Sequence, residues 1–575
     1  MEKRVFLAIF LSLVVLTVYQ AMMPKPAPLA PPPPAATSTT ATPPATPPAP
    51  GTTSPTPVES GRTGVTDLAG VLVGENGRDI IVDTDSVRAV FNTAGATLRS
   101  WQLKRYAEGD GPLELVPRNL PNTFPRPFTI STDDQALSLR LATAIYDVNE
   151  SQLSLGRTAG ALTFRYRDAG TGLNATKTFH FQPDGHEYQL RLEASVDVGG
   201  AAHPVVVHWG PALATGIDPA NMFPRAILLR AGSIERHSAA DVRAAPTYQG
   251  NIEFAGVEDH YFLTAAVPGT TPIGGVEYTA IDLPIEGAPP GTARHYIAYS
   301  LKHTGAVTLP FYMGPKELDT LRGVDSKLVD AIDFGMFAWL VVPLLQALKW
   351  VNRFVGNWGW SIVVLTILIN LVIFPLRHKS MVSMRKMQAM QPEIKAIQER
   401  YAKFKITDPE RQKMQQEMMA LYKQKGVNPA SGCVPMLLTM PVLFAFYAML
   451  SVAIELRGAP FFGWIHDLSK ADPYWVWPIL MGGTMFWQQK MTPSQMDPVQ
   501  QKIFLFLPLL FTFMFLAAPA GLVIYWLVSN LAAIGQQYLT NRMIGAPPPR
   551  PPAVVRAVSP PKKGGAAAPR AVVKS

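Results

Sequence analysis

The stretch LTILINLVIFPLRHKSMVSMRKM, from Leu365 to Met387, begins as an apolar run and ends, past Pro375, as a basic segment rich in methionine. The apolar part extends back to Trp358, and a helix needs about 20 such residues to cross a hydrocarbon core of roughly 30 Å. Asn370 places a polar amide inside this run, where hydrocarbon disfavours it. The pattern predicts a membrane helix with a polar group, followed by a basic cytoplasmic segment.

The N-terminus predicts a membrane anchor. Val5 to Met22 is apolar, and it follows Lys3 and Arg4, so we expect the N-terminus inside. We assign residues 1–23 to this anchor and interpret it as uncleaved, because the proline-dense sequence after it offers no clean cleavage site. A Pro/Ala/Thr-rich linker is predicted over residues 24–60. The single cysteine, Cys433, excludes an intrachain disulfide.

Residues 61–320 are predicted to form a large antiparallel β-sandwich. Apolar and polar residues alternate, for example from Tyr188 to Val198, as is typical of strands that bury one face. Turn sequences such as Pro183-Asp184-Gly185 separate the runs, and no long helical pattern interrupts them. A domain of this size can sustain a core without disulfides.

After Pro310 the pattern becomes helical and strongly apolar. The candidate segments are Phe334 to Phe354, Trp358 to Leu376, Cys433 to Leu456, Tyr474 to Gln489, Ile503 to Ala518 and Gly521 to Tyr538. The basic segment 377–428 should be cytoplasmic, which requires that the first of these candidates does not cross the membrane. We therefore assign residues 321–357 to an interfacial helix on the periplasmic side.

The predicted fold is a polytopic α-helical membrane protein with six spans and both termini in the cytoplasm. The spans are the anchor, residues 358–376 and four spans within 429–540. The tail, residues 541–575, is basic and contains no acidic residue, which agrees with a cytoplasmic location.

Residues 377–428 are predicted to form a cytoplasmic helical hairpin. Apolar residues recur at intervals of three and four, Thr407-Asp408-Pro409-Glu410 has the spacing of a helix start, and Gly426 marks a stop. Two interpretations of its methionines stay open, because Met is flexible and polarizable. Met384, Met387, Met414 and Met418 either contact substrates or hold the two helices together.

Signatures of enzymes are missing from the sequence. It contains no HExxH, no phosphate-binding P-loop, no GxSxG and no pair of cysteines. We therefore expect no catalytic residue, no metal site, no cofactor and no enzymatic activity.

Asn370 is the polar residue with the clearest functional potential. A single amide in a membrane helix more often joins two helices than binds a substrate. However, Thr366 lies four residues before it on the same helical face, and the last span contributes Tyr525, Trp526 and Ser529. We predict that these five residues line a hydrophilic groove.

The sequence resembles the YidC family of membrane protein insertases, which is related to the mitochondrial oxidase-assembly and chloroplast thylakoid insertases. The resemblance covers nearly the whole chain. It is carried by FVGNWGWSI from Phe354, QPEI from Gln391, QQEMMALYK from Gln415, VNPASGCVPMLLTMPVLFAFY from Val427, ELRGAPFFGWIHDLS from Glu455, DPYWVWPILMGGTMFWQQKM from Asp472 and GLVIYWLVSN from Gly521.

The resemblance implies an insertase and folding chaperone of the bacterial inner membrane, with a conserved core of five spans around a groove open to the cytoplasm and to lipid. The implied partners are nascent membrane proteins, membrane lipids and the Sec translocon; DNA is not among them. The family usually has a positive charge at the position of Asn370, and Thr366 and Trp526 match a threonine and an aromatic of the groove. The basic tail and the cytoplasmic loops are predicted to contact ribosomes, because rRNA is a polyanion.

Two other functions fit the pattern less well. A solute transporter predicts internal repeats and paired broken helices, which the sequence lacks. An envelope scaffold, with a binding β-sandwich on a membrane anchor, needs one span rather than six.

Overall fold

The computed structural model describes residues 77–544, apart from 109–110, 118–119, 122–123, 212, 214–223, 270, 285–292, 403, 405–407, 428–433 and 492–497. The predicted anchor and linker, and the tail from residue 545, lie outside the described residues. The described chain consists of a β domain followed by helices.

The β domain contains two sheets. The smaller sheet has the strand order β4-β3-β2-β1-β7. Its strands are β1 Asp79–Thr84, β2 Val87–Asn92, β3 Thr97–Glu108, β4 Gly111–Glu114 and β7 Gln152–Gly156. We predicted an antiparallel domain, but β1 and β7 pair in parallel. The chain between them leaves this sheet and returns to it, so β7 reaches the free edge of β1 without a hairpin.

The larger sheet is antiparallel and has the main order β5-β12-β18-β17-β15-β16-β19-β10-β9-β8-β6, with β11 beside β10, and β13 between β14 and β15. Its strands are β5 Thr129–Ser131, β6 Asp147–Val148, β8 Gly160–Asp168, β9 Leu173–Phe181, β10 Gln189–Val198, β11 Ala201–Ala202, β12 Val205–Trp209, β13 Arg225–Arg230, β14 Ser233–His237, β15 Thr247–Glu258, β16 Phe262–Ala266, β17 Ile273–Pro284, β18 Ala293–His303 and β19 Val307–Pro315.

The two sheets pack face to face, as the alternating pattern predicted. Phe91 of β2 contacts Phe164, Phe179 and Phe181 of the larger sheet, with ring centroids 4.6 to 6.2 Å apart. Buried and less buried residues alternate along β9, because successive side chains of a strand point to opposite faces. The predicted turn before β10 is confirmed by Gly185, whose φ is +74°.

In the described part of the β domain and directly after it lie three short α-helices and one longer one. They are α1 Gln135–Thr143, α2 Ala239–Ala244, α3 Leu318–Val324 and α4 Ala338–Val355. The predicted interfacial helix corresponds to α4, which buries Leu344, Leu348 and Val351 on one face. Trp339 and Phe354 are 70% and 75% exposed on its other side. The helix ends at Gly356, which adopts a left-handed conformation with φ +70°.

Among the described residues, seven α-helices follow. They are α5 Trp358–Ala389, α6 Gln391–Arg400, α7 Glu410–Gln424, α8 Val434–Val452, α9 Val476–Met491, α10 Pro498–Phe515 and α11 Ala520–Ile544. Among the described residues, one helical stretch is both long and apolar enough to cross a membrane, Trp358–Met387 with a mean hydropathy of 2.3. Met440–Val452 and Leu505–Phe515 are shorter apolar stretches.

Helix α5 is longer than the predicted span. We predicted a span that ends at Leu376 and a separate hairpin helix after it, but α5 continues through Pro375 to Ala389. Proline removes one helical hydrogen bond, a loss that neighbouring helices can offset. Met384 and Met387 therefore lie on the extension of α5 rather than on a separate helix.

Helices α5 and α11 begin at the same end of the helical region. The backbone N–H of Gly521 donates to the carbonyl of Leu468 at 3.0 Å, and the amide of Asn357 donates to the carbonyl of Pro460 at 3.1 Å. Both acceptors belong to the loop between α8 and α9. This loop also contacts α4, because Lys349 pairs with Glu455 at 2.8 Å, and the β domain, because the guanidinium of Arg457 lies 5.0 Å from the ring centroid of Phe262.

Candidate functional site

Three polar residues lie on one face of α5. Thr366, Asn370 and Arg377 have the spacing i, i+4 and i+11, which places them within about 40° of one another around a helix of 3.6 residues per turn. Thr366 and Asn370 are buried, and Arg377 is half-buried. Helix α5 thus carries a polar stripe along an otherwise apolar surface.

Helix α11 presents a matching stripe. Tyr525, Ser529 and Gln536 repeat the spacing i, i+4 and i+11. The two helices run parallel, since Gly521 approaches Ile362 near their beginnings and Gln536 contacts Asn370 further along. The polar stripes of α5 and α11 therefore face each other; we call this the α5–α11 seam.

Asn370 uses its side chain in two hydrogen bonds. Its Nδ2 donates to the carbonyl of Thr366 at 2.8 Å, and its Oδ1 accepts from Nη1 of Arg377 at 2.9 Å. The same Nη1 lies 3.3 Å from Oε1 of Gln536, whose Nε2 donates to the carbonyl of Asn370 at 2.8 Å. The three side chains form a closed set of hydrogen bonds between α5 and α11.

The structure separates the predicted groove residues into two groups. Tyr525 stacks on Phe446 of α8, with 4.2 Å between the ring centroids, and its hydroxyl interacts with the side chain of Ser529 on α11. Trp526 points away from Asn370, because it packs against Phe511 and Phe515 of α10. The reason is helical geometry: adjacent residues of a helix are about 100° apart around its axis.

The face of α11 that carries Trp526 serves packing. Asn530 donates to Oγ1 of Thr484 at 3.3 Å, and Gln537 donates to the carbonyl of Met491 at 2.6 Å, both on α9. These are the interhelical hydrogen bonds that polar residues commonly make in membrane proteins. Helix α11 therefore has one polar face toward α5 and another toward α9.

The seam continues beyond Arg377. Nδ1 of His378 lies 3.2 Å from Oγ1 of Thr540, and Arg385 donates to Oδ1 of Asn541. These contacts hold the last turns of α11 against the extension of α5. The extension is thus connected to the helical region on its polar side.

Helices α6 and α7 lie antiparallel. Arg400 pairs with Glu417 at 3.2 Å, and Glu393 pairs with Lys425 at 2.9 Å, so opposite ends of the two helices meet. The predicted stop is confirmed, since α7 ends before Gly426, whose φ is +67°. Thr407 of the predicted start lies outside the described residues.

The methionines of this hairpin occupy different environments. Met414 is buried with Ile397 and Tyr401, and Met418 packs against the same cluster. Met387 packs against a second cluster that contains Met390. Met384 is half-buried and belongs to neither cluster. The contacts of Met387, Met414 and Met418 are those of residues that hold the hairpin together.

Comparison with known proteins identifies the family. The family model of the 60Kd inner membrane protein matches residues 350–546, and that of the YidC periplasmic domain matches residues 79–347. The chain is 34% identical over 568 residues to the membrane protein insertase YidC of Syntrophus aciditrophicus (strain SB), covering 94% of this chain and 100% of that protein. The chain belongs to the YidC family.

A second YidC, from Geotalea uraniireducens (strain Rf4), is 35% identical over 560 residues and covers 95% of this chain and 100% of its own. A crystal structure of an active YidC insertase with its first transmembrane domain resolved covers 83% of this chain and 95% of its own, at 18% identity and a TM-score of 0.33. YidC-family membership rests on the sequence matches. It makes the chain a bacterial inner-membrane protein with a periplasmic domain, in a family that is not a class of enzymes.

Two residues of the seam were missed by sequence reasoning. Arg377 was counted only as a charge of the cytoplasmic segment, and Gln536 was not considered. A signal was present, because both residues complete the i, i+4, i+11 pattern on their helices. Among the part of the chain that the structure describes, no group of three or more His, Cys, Asp or Glu residues is arranged to hold a metal ion.

Proposed function

We propose that this YidC-family chain inserts proteins into the inner membrane by lowering the barrier that a polar segment meets, with the α5–α11 seam as its hydrophilic groove. The observation that carries the proposal is the pair of facing polar stripes on two parallel helices. A charged group at the bilayer centre costs about 2.5 to 3.5 kcal/mol on insertion scales. Polar groups on the cytoplasmic half of the path reduce the distance over which this cost applies.

The proposed site consists of Thr366 and Asn370 on α5 with Tyr525 and Ser529 on α11. Thr366 donates to the carbonyl of Ile362 at 2.6 Å, so its methyl group and oxygen are fixed against the helix. Trp526 acts at the neighbouring face, where it packs α11 against α10. Its proposed contribution is to hold α11 in place rather than to contact substrate.

The function is tested by complementation. We expect Asn370→Leu to impair growth and insertion of a single-span substrate in cells depleted of their own insertase, and Thr366→Val to add to the defect. The matched control is Thr512→Val, because Thr512 makes the same type of intrahelical hydrogen bond, to Pro508 at 2.7 Å, away from the seam. Full activity of Asn370→Leu at equal protein levels would remove Asn370 from the mechanism.

We also propose six spans with both termini in the cytoplasm, in the domain organisation predicted above. Support comes from the directions of the helices: α5, α9 and α11 run parallel, and Phe446 stacks on Tyr525 where α8 passes in the opposite direction. The β domain contacts the end at which α5 and α11 begin. Helices α6 and α7 would then be cytoplasmic and α4 interfacial on the periplasmic side.

Cysteine labelling tests this topology in a Cys433→Ser background. Lys413→Cys on α7 should be shielded from a membrane-impermeant thiol reagent in intact cells, whereas Asp184→Cys in the β domain should react. Both side chains are exposed, at 62% and 69%. Labelling of Lys413→Cys in intact cells would refute the six-span topology.

Substrate contact by the hairpin is proposed for the methionines that its core leaves available. Met384 is half-buried outside both hairpin clusters, and Met419 is exposed on α7. Photocrosslinking from position 384 or 419 to a ribosome-stalled nascent membrane protein should succeed, while position 414, inside the hairpin core, serves as the control. Equal crosslinking from all three positions would contradict this assignment.

The Sec translocon and the ribosome are the proposed macromolecular partners. The tail is basic and free of acidic residues, so it should attract rRNA in a salt-dependent way. Deletion of residues 545–575 should weaken co-sedimentation with ribosomes at low salt and have less effect at high salt. Unchanged co-sedimentation would leave the tail without this role.

A further inference from the structure

Two arginines of the β domain lie side by side. The backbone N–H of Leu98 donates to the carbonyl of Pro127 at 3.0 Å, which brings the adjacent residues, Arg99 and Arg126, together. Burial, and after it the charge of Arg99, lowers the pKa of Arg126. Both side chains are half-buried, and neither guanidinium makes a hydrogen bond within the part of the chain that the structure describes.

Arg99 is the extra residue of a β-bulge. In the pairing of β2 with β3, Val90 lies opposite Ser100 and Phe91 lies opposite Leu98, so Arg99 has no partner on β2. Bulges of this kind redirect a side chain and are frequent next to active sites. Nε of Arg99 is buried without a hydrogen-bond partner among the described residues. The bulge therefore takes Arg99 out of the regular alternation of β3.

Arg126 is held by a rigid segment. The prolines on either side of it, Pro125 and Pro127, fix their own φ, and a residue before proline is restricted to extended conformations. The carbonyl of Arg126 accepts from the backbone N–H of Thr129 at 3.1 Å and from its Oγ1 at 2.8 Å. A Cβ on Gly210 would lie 2.1 Å from the carbonyl oxygen of Pro125, so the chain after β12 packs closely on this segment. The backbone that carries Arg126 is thus fixed before any ligand binds.

The arginine pair keeps a net positive charge. Among the described residues, Asp79 is the carboxylate that pairs with Arg99, but its Oδ1 lies 3.5 Å from Nη1, which is longer than a hydrogen bond. The same Oδ1 accepts from Nδ2 of Asn92 at 2.6 Å. Like charges that face each other in neighbouring strands are destabilising. An anion that accepts hydrogen bonds from both arginines would remove this repulsion.

A phosphate group fits the pair better than a carboxylate does. Each guanidinium offers five N–H donors in a planar fork, and a carboxylate has two oxygens, which a single fork can occupy. A phosphate monoester carries about −1.5 to −2 charges at pH 7 and has three strong acceptor oxygens. It can therefore accept from two guanidiniums at once and match their combined charge.

The position of the pair favours a soluble compound over a lipid headgroup. Strand β3 reaches the helical region at its other end, where the ring of Tyr106 lies 5.5 Å from that of Phe262. Phe262 in turn contacts Arg457 of the loop between α8 and α9. Arg99 is seven residues before Tyr106, which corresponds to about 23 Å along a strand. The pair thus lies at the end of β3 that is remote from the helices.

We propose that Arg99 and Arg126 form a binding site for the phosphate group of a soluble compound. This inference goes beyond the proposed function, because the site belongs to the β domain and does not involve the seam. Both guanidiniums donate to the phosphate oxygens, and Asp79 orients Arg99. Binding replaces water by charge-assisted hydrogen bonds and involves no covalent step.

The experiment measures binding of inorganic phosphate to the full-length protein in neutral detergent at pH 7.5, by equilibrium dialysis at constant ionic strength. We expect one saturable site per chain. Arg126→Gln and Arg99→Gln should each weaken binding about tenfold, because each removes charge-assisted hydrogen bonds. Arg126→Lys should keep part of the affinity, since lysine retains the charge but lacks the fork. The matched control is Arg88→Gln, which removes an exposed arginine of β2 outside the pair and should bind phosphate normally.

Thermal unfolding distinguishes a ligand site from a structural role. Without phosphate, Arg126→Gln should unfold at the same temperature as the unmodified protein or higher, because it removes a like-charge contact. Phosphate should raise the unfolding temperature of the unmodified protein and of Arg88→Gln, but not that of Arg126→Gln, because a ligand stabilises the folded state that binds it. A lower unfolding temperature of Arg126→Gln without phosphate would assign this arginine to packing and overturn the inference.

Other outcomes would also overturn it. The absence of saturable binding, or equal binding by Arg99→Gln, Arg126→Gln and the unmodified protein, would mean that the pair does not hold phosphate. Displacement by equimolar acetate would make the pair a carboxylate site. Loss of phosphate binding in vesicles that contain phosphatidylglycerol, but not in vesicles of phosphatidylcholine alone, would assign the pair to a lipid headgroup. Each of these results would leave the proposed insertion function unaffected.

Discussion

In the β domain the fully buried carboxylate of Glu258 is surrounded by Arg225, Arg236 and Lys316, at 2.7 to 3.2 Å. In the helical region, by contrast, the hydrogen bonds of the Arg377 guanidinium to described residues are all to neutral amides. The β domain also contains Lys177, which donates to three backbone carbonyls and whose pKa is lowered well below its usual range by burial. The β domain thus pairs or neutralises its buried ionisable groups, and the seam preserves a charge. The difference indicates that the buried groups of the β domain serve stability and those of the seam serve interaction.

The largest expected effect comes from removing the carboxylate of Glu258 from its ion-pair cluster in the β domain. Glu258→Gln leaves the buried Lys316 and the half-buried Arg236 without their carboxylate, so the free energy of unfolding of the β domain should fall by about 3 to 5 kcal/mol. The control Glu187→Gln removes an exposed pair with Arg105 and should cost less than about 1 kcal/mol. Pulse proteolysis of the full-length protein in urea measures both. Equal losses would mean that the Glu258 cluster is no stronger than a surface pair.

A second prediction concerns a buried group that the β domain keeps neutral. His208 lies between Ser131 and Ser300, at 2.7 and 2.8 Å, and burial lowers its pKa from 6.5 to about 4. In the unfolded chain the imidazole of His208 is protonated below about pH 6.5, whereas in the folded chain it is protonated only near pH 4. Stability should therefore be full above pH 6.5 and fall by roughly 3 kcal/mol as the pH drops toward 4.

His208→Gln should make this pH dependence shallower. His260 and His303 have lowered pKa values as well, with burial as the main cause, so part of the slope should remain. Urea unfolding at pH 7.5, 6 and 5 compares the two proteins. A slope that His208→Gln leaves unchanged would show that the imidazole is not kept neutral by the fold.

The third prediction concerns packing in the helical region away from the seam. It tests whether α9 and α10 are packed closely where Gly482 meets Thr512. A Cβ on Gly482 of α9 would lie 1.9 Å from Oγ1 of Thr512 on α10, so Gly482→Ala should destabilise the protein by about 1 to 3 kcal/mol. Gly483→Ala is the matched control, since its Cβ would meet no atom within 4 Å. Thermal unfolding in detergent measures the difference.

Removal of the clashing oxygen should restore Gly482→Ala. The double variant Gly482→Ala with Thr512→Ala is expected to recover most of the lost stability. Equal thermal stability of Gly482→Ala and Gly483→Ala would mean that α9 and α10 are not closely packed. The helical region would then differ from the β domain in its packing as well as in the polar residues of the seam.

The sequence predicted the parts of the fold that repeat locally. Strands such as β10 follow from alternation, and α5 follows from hydropathy, because each pattern reflects the burial of one element. The parallel pairing of β1 with β7 was not predictable, since it depends on a return of the chain from the other sheet. The same holds for Arg377: charge counting assigned it to the cytoplasmic segment, and only the extension of α5 beyond Pro375 brings it to Asn370.

Prediction of the candidate site was correspondingly partial. Asn370 and Tyr525 were expected to lie together; Asn370 contacts Arg377 and Gln536 between α5 and α11, while Tyr525 stacks on Phe446 of α8. Trp526 was expected beside them, but it packs on α10, because hydropathy does not tell which faces of α11 meet α5 and α10. The methionine spacing was compatible with two interpretations, and only the contacts of Met414 and Met418 distinguish a hairpin core from an open surface.

The smallest effect compares two adjacent glutamines of α11. Gln537 donates to the carbonyl of Met491, while Gln536 donates to the carbonyl of Asn370 and accepts from Arg377. Each joins two helices, and such interhelical hydrogen bonds contribute about 0.6 kcal/mol on average in membranes. Gln536→Leu and Gln537→Leu should therefore lower thermal stability in detergent by a similar, small amount.

Their effects on insertion should differ, because only Gln536 contacts Asn370 and Arg377 at the proposed groove. We expect Gln536→Leu to reduce insertion of a single-span substrate about threefold, since an apolar side chain would replace a polar group there. Gln537→Leu should insert the same substrate like the unmodified protein. If the two variants lose insertion equally, the hydrogen bonds of α11 act only through helix packing, and the seam would not differ from the β domain in how it uses a buried polar group.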